Sequence, residues 1–209
     1  SLARQGSEYV RGEIACSAPA IKMGDGWIVA LRHRDAGDLK SYRDMMARDY
    51  GEELQFLSTE QTREKLNSVR YFESISNSGA FHIHPLKYSL MLAREAEKSG
   101  ASLHESSPAL AVEKLGNEWR VRCAEGEVIA QHVVHCVSSL DRTIHKASGR
   151  AVLPVATYVA VTEPLNQNAV RTSAAVADTR RAGNYYRLID GGRLLWGGRI
   201  TTRVSEPAR

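Results

Sequence analysis

The stretch HIHPLKYSLMLAREAEKSGASLHESSPALAVEKLGNEWRVRCAEGEVIAQHVVHCVSS, residues 82–139, carries the patterns that decide the predicted fold. Pro85 opens a helical pattern, because proline at the first helical position has no amide hydrogen to lose, and Gly100 stands where a left-handed C-cap is needed. A strand is predicted directly afterwards, over 101–105. Another strand is predicted over 128–137, and its end is apolar on both faces, as in a buried parallel sheet.

Between these two strands the sequence predicts a β-meander. Residues 109–115 and 118–123 flank Gly116-Asn117, a two-residue hairpin loop. In the second of these strands Trp119 and Val121 alternate with charged residues, which indicates one buried and one solvated face. The predicted order is therefore helix, parallel strand, β-meander and parallel strand, which is part of a nucleotide-binding layer.

Three amphipathic helices are predicted from caps and spacing. The first is capped by Asp35 and ends at Gly51, and the second begins at a capping box of Ser58 and Gln61. The third is the helix after Pro85. The inward residues predicted for the first are Leu39, Tyr42, Met46 and Tyr50, and those predicted for the third are Leu86, Leu90, Ala93 and Glu97. The polar segment 67–80 is predicted to be a loop.

β-type patterns lie on both sides of the central stretch. Before it, 20–23 and 27–32 flank Gly24-Asp25-Gly26, which indicates a hairpin turn. This turn is not a dinucleotide-binding fingerprint, since the third glycine and the following helix are missing. After the central stretch a long run begins at 151, with Pro154 confining its start to an edge or a bulge.

Two more elements complete the C-terminal part of the predicted sheet. A strand is expected over 175–178, and a hairpin pairs 184–189 with 193–198 around Asp190-Gly191-Gly192. The sequence therefore predicts an α/β fold of mixed α+β character. In this fold a partial layer of helix, parallel strands and β-meander is inserted between two parts of a mostly antiparallel sheet.

The predicted domain organisation follows from that insertion. Residues 1–81 are expected to form the first part of one domain, 82–150 the inserted layer, and 151–209 the second part of the first domain. A chain of this length can bury a sizeable core.

Composition excludes several classes of protein. The chain is 43% hydrophobic and 25% charged, with a net charge of +4, and its basic residues are scattered rather than clustered as in a nucleic-acid binder. Three cysteines without a C-x-x-C pair predict neither a disulfide framework nor a zinc site, and they fit a reducing cytoplasm. No apolar run is long enough to span a membrane. The histidines do not converge on one face with a third ligand, so no metal site is predicted.

Short sequence motifs in a fixed order resemble one flavoprotein family. The chain resembles the FAD-dependent oxidoreductases related to D-amino-acid oxidase, and within them the γ-glutamylputrescine-oxidase-like enzymes that oxidise amines. The resemblance covers residues 8–203 and rests on Phe81-His82-Ile83-His84-Pro85-Leu86-Lys87-Tyr88, Glu105-Ser106-Ser107-Pro108, Thr162-Glu163-Pro164-Leu165, Tyr185-Tyr186-Arg187-Leu188 and Gly197-Gly198-Arg199.

This resemblance implies an FAD cofactor and a partial chain. The family's N-terminal strand, G-x-G-x-x-G turn and helix, which bind the pyrophosphate, have no counterpart in this sequence. The C-terminal segment that covers the flavin is also without a counterpart. The chain is expected to be the middle portion of a longer enzyme or a truncated gene product. Alone, it is expected to bind FAD weakly or not at all, to be inactive, and to self-associate through exposed strand edges.

The resemblance also assigns candidate cofactor residues. Ala109 and Leu110 match the position where the family offers backbone to the adenine ring. Cys136, Val137 and Ser138 match the end of a parallel strand where small side chains let the cofactor lie close. Val137 departs from the family's hydroxyl residue, which counts against cofactor contact. At both positions ordinary strand packing is an equal alternative.

Four residues on the C-terminal hairpin are the candidate substrate contacts: Tyr185, Arg187, Trp196 and Arg199. An amine oxidase needs an aromatic wall and a neutral amine, because the flavin carries the reaction and the protein supplies shape and electrostatics. Aromatic residues at alternating strand positions are, however, more often part of a sheet core. No catalytic acid or base can be assigned.

The function implied is oxidation of the C–N bond of a small amine or amino acid. Hydride would pass to the flavin and the electrons then to O₂. The alternative is a non-catalytic binding or scaffold domain descended from such an enzyme. The missing fingerprint and Val137 favour this alternative.

Overall fold

A computed structural model describes residues 2–138, 144–166 and 169–202. Two compact units are present, the first comprising Ser1–Ala96 with Thr157–Arg199 and the second comprising Glu97–Ala156 with Ile200–Arg209. The resemblance to the flavoprotein family assigns residues 82–150 to a partial FAD-binding domain and residues 1–81 and 151–209 to a substrate domain. This domain division stays a prediction.

In chain order, the helices and strands within the described ranges are α1 (Leu2–Ser17), β1 (Lys22–Ala30), α2 (Gly37–Tyr50), β2 (Gln55–Leu57), α3 (Thr59–Leu66), β3 (Ser74–Ile83), α4 (Pro85–Lys98), β4 (Ala111–Leu115), β5 (Glu118–Arg122), β6 (Glu127–Ala130), α5 (Lys146–Ala151), β7 (Ala156–Pro164), β8 (Ala175–Asp178), β9 (Tyr185–Ile189) and β10 (Arg193–Thr201). Short 3₁₀ turns precede β1 and connect β9 to β10. The mixed α/β class predicted from the sequence is confirmed.

The first unit is built on a seven-stranded sheet with the order β2-β3-β1-β8-β9-β10-β7. Strand β1 pairs antiparallel with β3 and parallel with β8, where Ile28 lies opposite Val176. The pairs β2–β3, β8–β9 and β9–β10 are antiparallel. The prediction of a mostly antiparallel sheet with a C-terminal hairpin is therefore confirmed.

The N-terminal hairpin prediction is wrong. Residues 22–30 form one continuous strand, and the segment around Gly24 and Gly26 is bulged against β3 instead of turning. Gly26 has φ +93, so the glycine absorbs an irregularity of the ladder. The predicted loop over 67–80 is also wrong, because β3 begins at Ser74 and runs between β2 and β1. The backbone hydrogen bonds between β3 and β1 stabilise this segment as a strand, although its residues are mostly polar.

Helix caps were predicted better than helix faces. The capping box of Ser58 and Gln61 is present. The cap predicted at Asp35 is wrong by one residue, since the N-cap of α2 is Ala36, although Asp35 accepts a hydrogen bond from the amide of Gly37 at 3.0 Å. Gly51 ends α2 in the left-handed conformation. Leu39 is buried as predicted, but the side chains of Tyr42 and Tyr50 are exposed. The buried face of α2 is thus narrower than the spacing of its apolar and aromatic residues predicted.

The predicted inward stripe of α4 is also wrong. Leu86 and Leu90 are exposed, whereas Met91 is buried with Ile14 and Ile21. The reason is α1, which was not predicted and which contributes Ile14 to this cluster. The beginning of α4 at Pro85 is as predicted, as is the left-handed Gly100 that follows its end.

The second unit contains the predicted meander but not the predicted parallel strands. Strand β5 pairs antiparallel with β4 and with β6, and Gly116 in the first turn has φ +59. Residues 101–105 have no strand pairing, and of the predicted strand 128–137 only the residues up to 130 are paired, antiparallel with β5. The prediction of two parallel strands is therefore wrong for the described chain. A strand exists only through a neighbour's hydrogen bonds, and no described segment pairs in a ladder with 101–105 or 131–137.

The hydrophobic core belongs to the first unit. One cluster includes Ile28, Val176 and Tyr186, and a second includes Leu39 and Ile75. Among the described residues of the second unit no hydrophobic side chain is buried, although the unit is rich in apolar residues. Within the described ranges, no helix combines the length and the apolar character that a membrane crossing requires.

A buried pair of hydroxyl groups connects α3 to β3 and provides a stability test. Thr62 Oγ1 lies 2.8 Å from Ser74 Oγ, and both residues are fully buried. We expect Thr62→Val to lower the free energy of unfolding by about 1–3 kcal/mol, because Ser74 loses its partner. The double variant Thr62→Val/Ser74→Ala is the control, and urea denaturation is the measurement. A double variant less stable than the single one would contradict this account.

Candidate functional site

The register of the β9–β10 hairpin decides which predicted substrate residues lie together. Tyr185 is opposite Gly197, Tyr186 is opposite Trp196, and Arg187 is opposite Leu195. Because side chains alternate along a strand, Tyr185 and Arg187 share one face of the sheet and Trp196 lies on the other. The structure therefore brings Tyr185 and Arg187 together but separates them from Trp196.

Arg199, the fourth predicted residue, has an unusual backbone conformation. Its φ is +55, in the left-handed region that non-glycine residues rarely adopt. This local irregularity follows Gly197 and Gly198 in β10. Simple alternation along the strand therefore does not fix the face of Arg199.

Small residues surround Tyr185. A β-carbon added to Gly197 would overlap the Tyr185 ring, so the ring lies directly across the glycine. On its other side Tyr185 is opposite Ala177 of β8. Tyr185 is 41% exposed. Its ring is therefore an accessible aromatic surface that a small apolar group could contact.

Arg187 is tied to the end of β3. Its Nη1 donates to the carbonyl of Ile83 at 2.7 Å and to Nδ1 of His82 at 3.2 Å. On the other side of the ring, Nε2 of His82 donates to the carbonyl of Ser173 at 2.8 Å. This pattern requires a neutral imidazole with its proton on Nε2, since Nδ1 accepts from a cation. The network therefore fixes the position of Arg187.

Glycine makes this network sterically possible. A β-carbon at Gly24 would lie 2.5 Å from the Ser173 carbonyl oxygen and 2.7 Å from Nε2 of His82. Only a residue without a side chain leaves room there for the His82 ring. The pKa of His82 is lowered, first by burial and also by Arg187, although the Ser173 carbonyl and Asp25 act in the opposite direction. Burial also lowers the pKa of Arg187.

The opposite face of the hairpin is aromatic. The rings of Tyr186 and Trp196 are stacked at a centroid distance of 4.7 Å, and Tyr71 lies 6.4 Å from Tyr186. Burial and then the neighbouring Tyr71 raise the pKa of Tyr186, so its hydroxyl stays protonated. Neither Tyr71 nor Tyr186 was predicted as a site residue. Counting cross-strand pairs outward from 190–192 would have placed Tyr186 beside Trp196.

The predicted cofactor residues lie in the second unit and are accessible. Ala109 is half-buried and Leu110 is exposed, with its amide donating to the Arg122 carbonyl at 2.7 Å. Cys136, Val137 and Ser138 are exposed. A cleft of about 330 Å³ lies beside Pro108. Its lining residues are His104, Ser106, Ser107, Pro108, Cys123, Ala124, Glu125, Gly126, Glu127 and Val128.

The fit to FAD is therefore partial. Accessible backbone and small side chains suit the adenine side of the cofactor. The pyrophosphate needs a glycine turn at a helix N-terminus, and the Gly24–Gly26 segment lies within β1 instead. Among the described residues, no group of three His, Cys, Asp or Glu side chains is placed to hold a metal ion.

The fold and the sequence together define the class of protein. The model of the FAD dependent oxidoreductase family matches residues 2–208, and the chain belongs to this family. The resemblance seen in the sequence motifs is thus confirmed. Enzymes of this family use FAD as their cofactor.

Individual relatives agree with this assignment. The chain is 29% identical over 173 residues to "Probable oxidoreductase OrdL" of Rhizobium meliloti, covering 81% of this chain and 40% of the relative. It is 25% identical over 187 residues to γ-glutamylputrescine oxidoreductase of Escherichia coli, covering 87% and 44%. The fold is similar to that of L-proline dehydrogenase from P. horikoshii, with a TM-score of 0.79 and 15% identity over 97% of this chain and 56% of that one. The chain thus spans less than half the length of these two curated relatives.

The His82 network predicts a specific pH dependence of stability. Because the folded pKa of His82 is lowered, the unfolded chain takes up a proton that the folded chain resists. The stabilisation is complete above the unfolded value of about 6.5 and decreases as the pH falls below it. We expect His82→Asn to remove this part of the pH dependence, measured by urea denaturation between about pH 5 and 8. The exposed His132, changed to Asn, is the control. An unaltered slope in His82→Asn would contradict the prediction.

Proposed function

We propose that the longer protein containing this chain oxidises the C–N bond of a small amine or amino acid. The observation that carries the proposal is the accessible face of the β9–β10 hairpin, within a chain of the FAD-dependent oxidoreductase family. There Tyr185 lies across Gly197 and Arg187 is held in place by His82 and Ile83. The similarity to γ-glutamylputrescine oxidoreductase supports an amine substrate.

Each residue on this face has a role in the proposal. The exposed edge of Tyr185 would contact the carbon chain of the substrate and orient its C–H bond. Arg187 would lower the pKa of a bound amine, because a nearby guanidinium disfavours a second positive charge. The amine would then be neutral, as hydride loss from the adjacent carbon requires. The position of Arg187 depends on the neutral His82 ring, which makes His82 a positioning residue.

FAD supplies the electron chemistry when bound, accepting the hydride and delivering its electrons to O₂. Ala109 and Leu110 would contact its adenine side, and Cys136, Val137 and Ser138 would adjoin it. The substrate carbon gives up the hydride, the resulting imine takes up water, and the products are a carbonyl compound and a free amine.

We also infer a cytoplasmic protein that forms homo-oligomers. The exposed apolar residues Tyr158, Val159 and Val161 of the edge strand β7 support self-association, which light scattering tests.

Activity of the longer protein tests the proposed reaction. We expect the purified protein to be yellow and to release hydrogen peroxide with γ-glutamylated amines, simple diamines or small amino acids. The measurement combines the flavin absorption spectrum with a peroxide assay across these three substrate groups. A colourless protein without peroxide release would favour a non-catalytic binding or scaffold domain.

A matched pair of glycine variants tests the hairpin face itself. In Gly197→Ala the new methyl group displaces the Tyr185 ring, and we expect kcat/KM to fall about tenfold or more while flavin content is unchanged. Gly12→Ala on α1 is the control, since a β-carbon there meets open space. Equal kcat/KM values for Gly197→Ala and Gly12→Ala would exclude this face from the substrate site.

Cofactor affinity of the isolated chain gives a separate test. We expect the 209-residue chain to bind FAD weakly or not at all, because it has no glycine turn for the pyrophosphate. The measurement is quenching of flavin fluorescence on titration of FAD, with riboflavin as the control that omits the phosphates. Stoichiometric quenching at micromolar FAD would contradict the prediction.

A further inference from the structure

A second cleft lies on the aromatic face of the sheet in the first unit, away from Tyr185 and Arg187. Its volume is about 270 Å³, close to the lower end of ordinary small-ligand pockets. Three aromatic side chains line it, together with three arginines and a set of apolar residues. The aromatic and basic lining residues are Tyr71, Tyr186, Trp196, Arg32, Arg70 and Arg180.

The charges around this cleft are not balanced. Arg180 is neutralised by Asp178, with Nη2 at 2.8 Å and Nε at 3.0 Å from Oδ2. The Asp178 side chain is fully buried, and its other oxygen accepts the amides of Arg180 and Asn184, so this carboxylate is satisfied within the protein. Within the part of the chain that the structure describes, Arg32 and Arg70 form no salt bridge.

The two remaining cations differ in how they are held. The Arg32 guanidinium lies 5.2 Å from the centroid of the Tyr71 ring, in a cation–π contact at the wall of the cleft. This contact restrains the side chain without neutralising it. Arg70 is exposed and lies close along the chain to Tyr71. The cleft thus combines an aromatic wall with an excess of guanidinium groups.

We propose that this cleft binds a small monocarboxylate with a planar apolar body. The body would pack between the aromatic wall of Tyr71 and Trp196 and the apolar residues Leu165 and Val170. The carboxylate would be bound by Arg32 and Arg70, because a guanidinium fork matches the two oxygens of a carboxylate. The site lies on the face of β9–β10 opposite to the proposed substrate face and does not depend on FAD.

Calorimetric titration of the 209-residue chain with 3-phenylpropionate tests the proposal. The neutral amide of the same acid is the matched probe, because it keeps the planar body and removes the charge. We expect the carboxylate to bind at least about tenfold more tightly than the amide, with a difference that shrinks as salt is raised. Equal affinities for acid and amide, or no binding of the acid, would overturn the proposal.

Variants locate the binding to this cleft. Arg32→Gln and Arg70→Gln should each weaken carboxylate binding about tenfold, whereas Arg94→Gln, an exposed arginine on α4, should change it less than about twofold. Trp196→Phe should retain binding by calorimetry but lose the change in tryptophan fluorescence. Circular dichroism checks that each variant is folded. If a variant does not fold, the salt dependence of the affinity difference between acid and amide, measured on the unaltered chain, still decides the test. Unchanged affinity in both folded arginine variants would place the ligand elsewhere.

Discussion

The parallel pairing of β1 with β8 joins two chain segments that lie on either side of the second unit in sequence. Ile28 and Val176 are opposite each other in this ladder although 148 positions separate them. Closing so long a loop costs conformational entropy, and the burial of both side chains in one core cluster offsets that cost. Because β8 also pairs with β9, this ladder places β9 near the N-terminal strands, where Arg187 contacts the end of β3.

The two faces of the sheet are chemically different because β9 and β10 alternate. On one face, Tyr185 lies over small residues and Arg187 is bound to a neutral histidine. On the other, Tyr186 and Trp196 stack above the core and form one wall of a positively charged cleft. In our proposals one hairpin supplies the substrate face and a separate carboxylate-binding face. A shift of one residue in the pairing of β9 with β10 would exchange the side chains of the two faces.

Local signals were predicted from the sequence more reliably than partners in space. The capping box at Ser58, the hairpin at Gly116 and the C-cap at Gly100 each depend on a few adjacent residues, and the structure contains all three. The strand expected over 101–105 was not found, and the one expected over 128–137 is paired only as far as residue 130 and is antiparallel. The reason is that a strand also needs a neighbour that local sequence does not specify. The family assignment does not rest on these strands, since the sequence motifs and the family model carry it.

The candidate site shows the same division. Tyr185 and Arg187, predicted together as substrate contacts, lie on one face, which the alternation of a single strand is enough to indicate. Trp196 was grouped with them although it lies on the other face, which only the pairing of two strands reveals. The His82–Arg187 contact could not be predicted either, since it joins residues 105 positions apart. It also depends on the irregular pairing of β1 with β3 near His82. Tertiary hydrogen bonds of this kind have no sequence periodicity.

Gly24 gives this arrangement an unexpected sensitivity. The glycine touches neither Tyr185 nor the aromatic cleft, yet any side chain at this position would push against the His82 ring and the Ser173 carbonyl. A displaced His82 would release Arg187 and alter the electrostatic potential beside Tyr185. The side chains that position 24 of β1 can accept are therefore limited by Arg187 of β9, which is two strands away in the sheet. Among homologues, substitutions at position 24 would be expected to occur together with substitutions at positions 82 and 187.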